Sequence, residues 1–251
     1  MVQPALAGIG IAITRPSNQA KKLTQLIENA GGHVISFPLI EIVPLDDYRQ
    51  FEGVIADISS YEWVIFISSN AVQNGMPRLL KQTLPHHLKF AAIGPVTAKE
   101  LQEFGVKDVL IPEHRFDSES LLSLAPMHDM LGKKVMIVRG MGGREVLADT
   151  LKSRGADVTF AECYQRINPQ KNIDILTDAW SKQQLQAIVV TSSEAMRHLL
   201  ELAVNAPWLK QVTICVNHAR IAEQTLDLGF EILIADAPGD EAMFNTLLTI
   251  H

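Results

Sequence analysis

The chain contains the same phrase twice, and this internal repeat constrains its fold more than any other feature. The stretch "VIFISSNAV" at 64 to 72 returns as "IVVTSSEAM" at 188 to 196, so Ser68 corresponds to Ser192 at an offset of 192 − 68 = 124 positions. Each phrase has an apolar run, hydroxyl residues that include a pair of serines, and then helix formers, which is typical of a buried strand that ends in a helix cap. The offset also joins "AITR" at 12 to 15 with "MIVR" at 136 to 139. A period this long indicates two domain-sized copies, because solenoid repeats run roughly 20 to 50 residues.

Strand and helix patterns alternate within each copy. In the first copy the buried strand "IGIAIT" precedes the helical pattern "SNQAKKLTQLIENAGG", with Ser17 as the predicted N-cap and Gly31 as the predicted stop. Such alternation predicts an α/β fold, in which helices cover both faces of a parallel sheet.

Two proline-containing stretches interrupt the alternation at equivalent places. They are "FPLIEIVPLDD" at 37 to 47 and "AECYQRINPQ" at 161 to 170, and both read as extended linkers. We therefore expect one discontinuous domain from 1–37 and 170–251, a second from 44–161, and linker strands at 38–43 and 162–169. The expected architecture is α/β, with two flavodoxin-like parallel-sheet domains joined by a two-stranded linker ladder.

Composition narrows the possible partners. A net charge of −6 argues against nucleic acid and against an acidic membrane surface, both of which require a basic face. The N-terminal residues lack the features of a secretory signal, so we expect a cytoplasmic protein. Cys163 and Cys215 lie far apart, and the histidines show no ligand spacing, so neither a disulfide framework nor a metal site is predicted.

Polar residues follow the predicted strands, where open α/β sheets bind their ligands. For a single Ser, Thr or Asn after a strand, an ordinary capping role is the more common explanation, and it is the agreement across both copies that favours a shared ligand site. The glycine-rich phrase "RGMGGRE" allows close approach of an anion to two arginines, or forms a tight turn with solvated arginines. The candidate binding residues are Thr14, Arg15, Ser68, Ser69, Asn70, Gly94, Thr97, Arg139, Arg144, Ser192 and Ser193.

Tyr164 is the candidate for proton transfer. It stands in the second predicted linker, from which a phenol could donate a proton to a ligand. The alternative is a tyrosine that only packs at a domain boundary.

Taken together, these phrases resemble the uroporphyrinogen-III synthase family over almost the whole chain. The resemblance rests on the order and spacing of "TRP" at 14 to 16, "FPLIEI" at 37 to 42, "SSNAV" at 68 to 72, "AIGPVTA" at 92 to 98, "CYQR" at 163 to 166 and "TSS" at 191 to 193. It implies two α/β domains with the active site in a cleft. It also implies a reaction without cofactor, in which the linear tetrapyrrole hydroxymethylbilane loses water and closes with its ring D inverted through a spiro intermediate.

The resemblance also implies roles for individual residues. Tyr164 would assist departure of the hydroxyl, while the hydroxyl residues and helix N-termini would hold the substrate's carboxylates. Where the family often has a second glycine and threonine, this chain has "VNHARIA", so His218 or Arg220 would take over that contact. The resemblance further suggests a monomer, with a transient contact to the enzyme that makes hydroxymethylbilane left open. The alternative function is a non-catalytic two-domain binder that closes on a small anionic ligand.

Overall fold

The structure, a computed structural model, describes residues 4–250 and divides the chain into two compact units. Unit 1 combines the chain up to Glu41 with the chain from Ile167 onward, and unit 2 is formed by Ile42–Arg166. These two division points fall inside the stretches that the sequence marks as linkers.

Unit 1 is a parallel sheet in the order β11-β10-β9-β1-β2, and its strands are short and apolar. Residues from the helices, such as Leu23 and Met243, pack with residues from the strands, such as Ile11 and Val189, in a buried core. Its strands are β1 (Gly10–Ile13), β2 (His33–Ser36), β9 (Ala187–Val190), β10 (Thr213–Val216) and β11 (Ile232–Ile234). Its helices are α1 (Ser17–Asn29), α7 (Asp174–Ser181), α8 (Ser193–Leu202), α9 (Ala219–Ala222) and α10 (Asp240–Leu247).

Unit 2 has its strands in the order β3-β8-β7-β4-β5-β6, and the five from β8 to β6 are parallel. Its strand residues alternate between two buried clusters, with Val64 and Phe66 in one and Ile65 in the other, as expected of a sheet covered on both faces. Its strands are β3 (Glu41–Val43), β4 (Trp63–Phe66), β5 (Lys89–Ala92), β6 (Val109–Leu110), β7 (Lys134–Gly140) and β8 (Asp157–Ile167). Its helices are α2 (Arg49–Ala56), α3 (Ser69–Leu79), α4 (Pro95–Glu103), α5 (Ser118–Leu122) and α6 (Val146–Ser153).

The two units have the same topology, and the sequence repeat explains why. The offset of 124 converts β4 (63–66) into β9 (187–190) and β5 (89–92) into β10 (213–216) residue for residue. Unit 1 therefore runs β2-β1-β9-β10-β11 where unit 2 runs β8-β7-β4-β5-β6, and both have the flavodoxin-like strand order. Each copy of the repeat gives its first two strands to one unit and its last three to the other. The predicted fold class is confirmed.

One local prediction is wrong. Ser17 is the first residue of α1 rather than its cap, because Pro16 occupies the cap position and no side chain bonds there. The segment predicted as a linker strand at 162–169 forms the end of β8, which runs without interruption from Asp157 to Ile167, and the division between the units falls after Arg166. Gly31 does stop α1 as expected, at a φ of +83° that favours glycine.

Gly10 tests the close contact that β1 makes inside unit 1. A Cβ at this position would lie 1.7 Å from the carbonyl oxygen of Gln184, so backbone must move to admit it. We expect Gly10→Ala to lower the free energy of unfolding by about 2 to 3 kcal/mol. In Gly53→Ala, the control inside α2, the new methyl group meets nothing within 4 Å, and we expect a gain of about 0.5 to 1 kcal/mol. Urea denaturation of both variants is the measurement, and equal midpoints would contradict the described contact.

Candidate functional site

Each unit has one topological switch point, where ligands of open α/β sheets bind beyond the carboxyl ends of the strands. It lies between β1 and β9 in unit 1 and between β7 and β4 in unit 2. Most of the polar phrases singled out from the sequence come at the ends of these four strands, while Gly94 and Thr97 follow β5 and His218 and Arg220 follow β10. Each unit therefore carries its own candidate site at the carboxyl edge of its sheet.

In unit 1, Arg15 bridges the ends of β1 and β9. Its Nε donates to Thr191 Oγ1 at 3.1 Å, and its Nη1 forms an ion pair with Asp240 Oδ1. The Arg15 and Asp240 side chains are only 14% and 15% exposed, which strengthens their attraction relative to a surface pair. Asp240 is also the first residue of α10, where the helix dipole favours a negative charge. The guanidinium is thereby fixed in place, and its five N–H donors exceed the two used in these contacts.

The other predicted residues of unit 1 have mixed roles. Thr14 is buried and donates its hydroxyl to the Val189 carbonyl at 2.8 Å, so that hydroxyl serves the sheet. Ser192 caps α8, accepting from Ala195 N at 3.1 Å, and Ser193 is the first residue of that helix. His218 caps the four-residue α9, where its Nδ1 accepts from the backbone N–H of Arg220 at 3.1 Å.

In unit 2, Tyr164 and Ser68 meet at the switch point. A register shift between Arg139 and Gly140 pairs Gly140 with Tyr164, whose ring covers the glycine so closely that a Cβ would lie 2.5 Å from Cε2. The phenol oxygen of Tyr164 hydrogen-bonds Ser68 Oγ at 3.3 Å, and the same Ser68 Oγ accepts from Ala71 N at 3.1 Å. Tyr164 is 2% exposed, whereas Ser68 is partly exposed. The structure thus places Tyr164 near the end of strand β8, with its hydroxyl directed at the cap of α3.

The remaining predicted residues around α3 and α4 lie in the first turns of these helices. Ser69 and Asn70 are the first two residues of α3, and the Asn70 carbonyl accepts from the Asn74 side chain at 2.8 Å. Gly94 caps α4 without a side-chain bond, and Thr97 is buried in the first turn of that helix. Backbone N–H groups of first helical turns lack partners inside the helix and suit an anion.

The "RGMGGRE" turn separates its two arginines into different environments. Arg139 is 3% exposed, donates from Nε to the Gly140 carbonyl at 3.1 Å and lies 4.5 Å from the Phe160 ring centroid. Arg144 is exposed and pairs with Glu119 at 2.7 Å. The sequence alternative of two solvated arginines thus holds for Arg144 and is wrong for Arg139, which stabilises the turn from inside.

The cysteines are unsuited to nucleophilic chemistry. Burial raises the pKa of both Cys163 and Cys215 to about 12, so both thiols are neutral near pH 7. Within residues 4–250, no group of three or more His, Cys, Asp and Glu is arranged to hold a metal ion. In the same part of the chain, no helix is long and apolar enough to cross a bilayer.

Sequence reasoning missed two residues of the unit 1 site. Thr191 and Asp240 fix Arg15, yet neither was a candidate. Thr191 belongs to the "TSS" phrase that had been noticed, and Asp240 follows Gly239 at a helix start, which is a recognisable signal. The pairing of Arg15 with Asp240 had no signal, because it joins positions 225 residues apart.

Comparison with known proteins gives a consistent result. A family model described as "Uroporphyrinogen-III synthase HemD" matches residues 21–245. The uroporphyrinogen-III synthase of Escherichia coli K12 is 32% identical over 95% of this chain and 100% of its own length, and that of Salmonella typhimurium LT2 is 33% identical over the same shares. The crystal structure of uroporphyrinogen-III synthetase from Helicobacter pylori 26695 has a similar fold, with a TM-score of 0.66 and 18% identity over 96% of this chain and 99% of that one.

Asp240 provides a test of the unit 1 geometry. We expect Asp240→Asn to lower the free energy of unfolding by about 1 to 2 kcal/mol, because Arg15 loses a charged partner that is mostly shielded from water. Glu241→Gln is the matched control, since Glu241 is the next residue of the same helix and pairs with Lys22 at an exposed position. We expect the control to unfold at the wild-type midpoint in urea. Equal destabilisation of the two variants would show that the Arg15–Asp240 pair stabilises the protein no more than the exposed Lys22–Glu241 pair.

Proposed function

The chain belongs to the uroporphyrinogen-III synthase family, and on that premise we propose that it closes hydroxymethylbilane into uroporphyrinogen III, with loss of water and inversion of ring D. The observation that carries the proposal is the 3.3 Å hydrogen bond between Tyr164 and Ser68 at the carboxyl end of β4. It sets two proton-donating hydroxyls at the switch point of unit 2, where this class of sheet receives its ligands.

The first step is departure of the substrate hydroxyl. Ser68 passes its proton to the leaving oxygen while it takes the proton of Tyr164, so that water leaves and a phenolate remains. The substrate is left as an azafulvenium cation. Because Tyr164 is buried and Ser68 is partly exposed, Ser68 is the group that meets the substrate. Such proton transfer contributes typically 10²–10⁴-fold to a rate.

The following steps require no further group from the protein. The substituted carbon of ring D attacks the electrophile to form the spiro intermediate, which fragments and closes again with ring D inverted. The proton lost when the last pyrrole regains aromaticity returns to the Tyr164 phenolate. The balance is therefore one substrate to one product and one water. Since the substrate closes unaided to the uninverted isomer, the protein's main contribution is to hold the chain in the productive conformation.

The substrate has eight carboxylates, which require hydrogen-bond donors, and the remaining donors at the carboxyl edges of the two sheets fit this requirement. Arg15 offers remaining N–H groups at a fixed position in unit 1, and the first turns of α3, α4 and α8 offer backbone N–H groups. We assign substrate carboxylates to these groups, and to His218 and Arg220 at α9. Arg139 and Thr14 make no contact with the substrate in this proposal. Arg139 stabilises the turn after β7, and Thr14 stabilises the sheet of unit 1.

Only unit 2 is equipped for the acid step. By the repeat offset, the position of Tyr164 corresponds to 164 − 124 = 40, which is Ile40 in unit 1. We therefore propose a cyclising hydro-lyase whose chemistry occurs at unit 2. A cytoplasmic monomer with a transient contact to the enzyme that makes hydroxymethylbilane belongs to the same proposal.

Tyr164→Phe tests the acid step. We expect kcat to fall by about 10²-fold with KM changed little, because the phenol supplies the proton that Ser68 passes to the leaving group and takes no part in binding. The product should remain the inverted isomer. Tyr61→Phe is the control, since Tyr61 is a buried tyrosine at the opposite, amino end of β4. An unchanged kcat in Tyr164→Phe would reduce Tyr164 to a packing residue.

Ser68 and Ser192 form a matched pair that separates the two candidate functions. Both cap a helix through the same contact at 3.1 Å, but only Ser68 contacts a tyrosine. We expect Ser68→Ala to lower kcat and Ser192→Ala mainly to raise KM, in assays that resolve the ring isomers. A non-catalytic binder would leave the isomer ratio at that of the spontaneous reaction for the wild type and both variants.

A further inference from the structure

At the carboxyl edge of unit 2, a large apolar side chain is well exposed after each of three strands. Val96 follows β5 and is 67% exposed, Phe116 follows β6 and is 52% exposed, and Met141 follows β7 and is 49% exposed. Single exposed apolar residues are ordinary on a protein surface, but a set on one functional edge indicates a binding surface.

The two units differ at the one of these positions that the repeat matches element for element. Val96 is the second residue of α4, and Arg220, at the offset of 124, is the second residue of α9. Unit 2 thus exposes an apolar side chain where unit 1 exposes a charged one. Because exposed positions of this kind contribute little to stability, the difference points to what each edge binds.

Phe116 is held in a defined position beside the predicted anchors. Its side chain covers Gly94, where an added Cβ would lie 3.0 Å from the Phe116 Cβ and 3.2 Å from its Cγ. The next residue, Asp117, caps α5 by accepting from Ser120 N at 2.8 Å, which fixes the backbone beside Phe116. The backbone of Met141 is also held in place, since its N–H donates to the Tyr164 carbonyl at 2.8 Å. The apolar positions are thus tied to the α4 cap and to the proposed acid.

We propose that Val96, Phe116 and Met141 form a pyrrole-contacting surface, on which the faces of the substrate's rings pack while carboxylates are held by the first-turn amides of α3 and α4. This inference rests on the proposed function and deepens it. A linear tetrapyrrole has flat aromatic rings as well as carboxylates, and anchoring the carboxylates alone leaves each ring free to rotate about its bridging carbons. Contact with a ring face restricts that rotation, which the choice between two ring closures requires.

The test compares Phe116 with an apolar residue at the other edge of the same sheet. We expect Phe116→Ala to raise KM for hydroxymethylbilane roughly three- to tenfold, with a smaller effect on kcat. Phe116→Asp, which places a negative charge on the surface, should raise KM further, and Phe116→Leu should fall between wild type and Phe116→Ala. Leu131→Ala is the control, because Leu131, which precedes β7, is 81% exposed and covers Gly155 as Phe116 covers Gly94. We expect it to leave KM unchanged.

Salt distinguishes an apolar contact from a lost anchor. The ratio of KM between Phe116→Ala and wild type should be the same at 0.05 and 0.5 M salt, whereas the ratio for Arg15→Gln should shrink as salt rises. Wild-type KM in both Phe116→Ala and Phe116→Asp, or the same rise in Leu131→Ala, overturns the surface while leaving the synthase activity intact. A wild type that yields no excess of the inverted isomer overturns the proposed function itself.

Discussion

The backbone N–H groups in the first turns of α3 and α8 are the constraint on which the rest of the site depends. Each helix begins directly after a central parallel strand, so its first N–H groups point out of the carboxyl edge of the sheet. Ser68 and Ser192 each accept from one such group, at Ala71 and Ala195, and helix starts of this kind suit an anion. This is how a chain with a net charge of −6 can bind a polycarboxylate, since the attraction is local and owes nothing to the overall charge.

The sequence repeat gives both units this arrangement, but the side chains around it differ between the units. Unit 1 fixes an arginine with an aspartate where the corresponding arginine of unit 2, Arg139, is buried against Phe160. Unit 2 has instead a tyrosine bonded to its helix cap. The register shift pairs Gly140 with that tyrosine. The glycine makes room for the ring, because any side chain at Gly140 would meet it. In the proposed function both edges hold carboxylates, and only the edge of unit 2 also has the acid.

Much of the fold was accessible from the sequence because the repeat is regular. Apolar runs predict the positions of β4 and β9, and the offset of 124 relates the two. The hydroxyl residues that follow these strands predict the helix caps at Ser68 and Ser192. The site was less accessible, because its contacts join residues distant in the chain. Arg15 with Asp240 and Tyr164 with Ser68 are pairings that only the sheet order creates. Burial was equally hidden, since Arg139 and Arg144 look alike in the sequence and differ completely in exposure.

The central claim is that the ligand meets the carboxyl edges of the sheets at the first turns of α3 and α8. Amide hydrogen exchange, with and without uroporphyrinogen III under anaerobic conditions, tests it directly. We expect exchange to slow at residues 68–72 and 192–196, whose N–H groups would bind carboxylates, and to remain unchanged at 86–89 and 210–213, which lie at the amino ends of β5 and β10. Protection confined to the amino-end segments, or absent from both helix starts, would contradict the account.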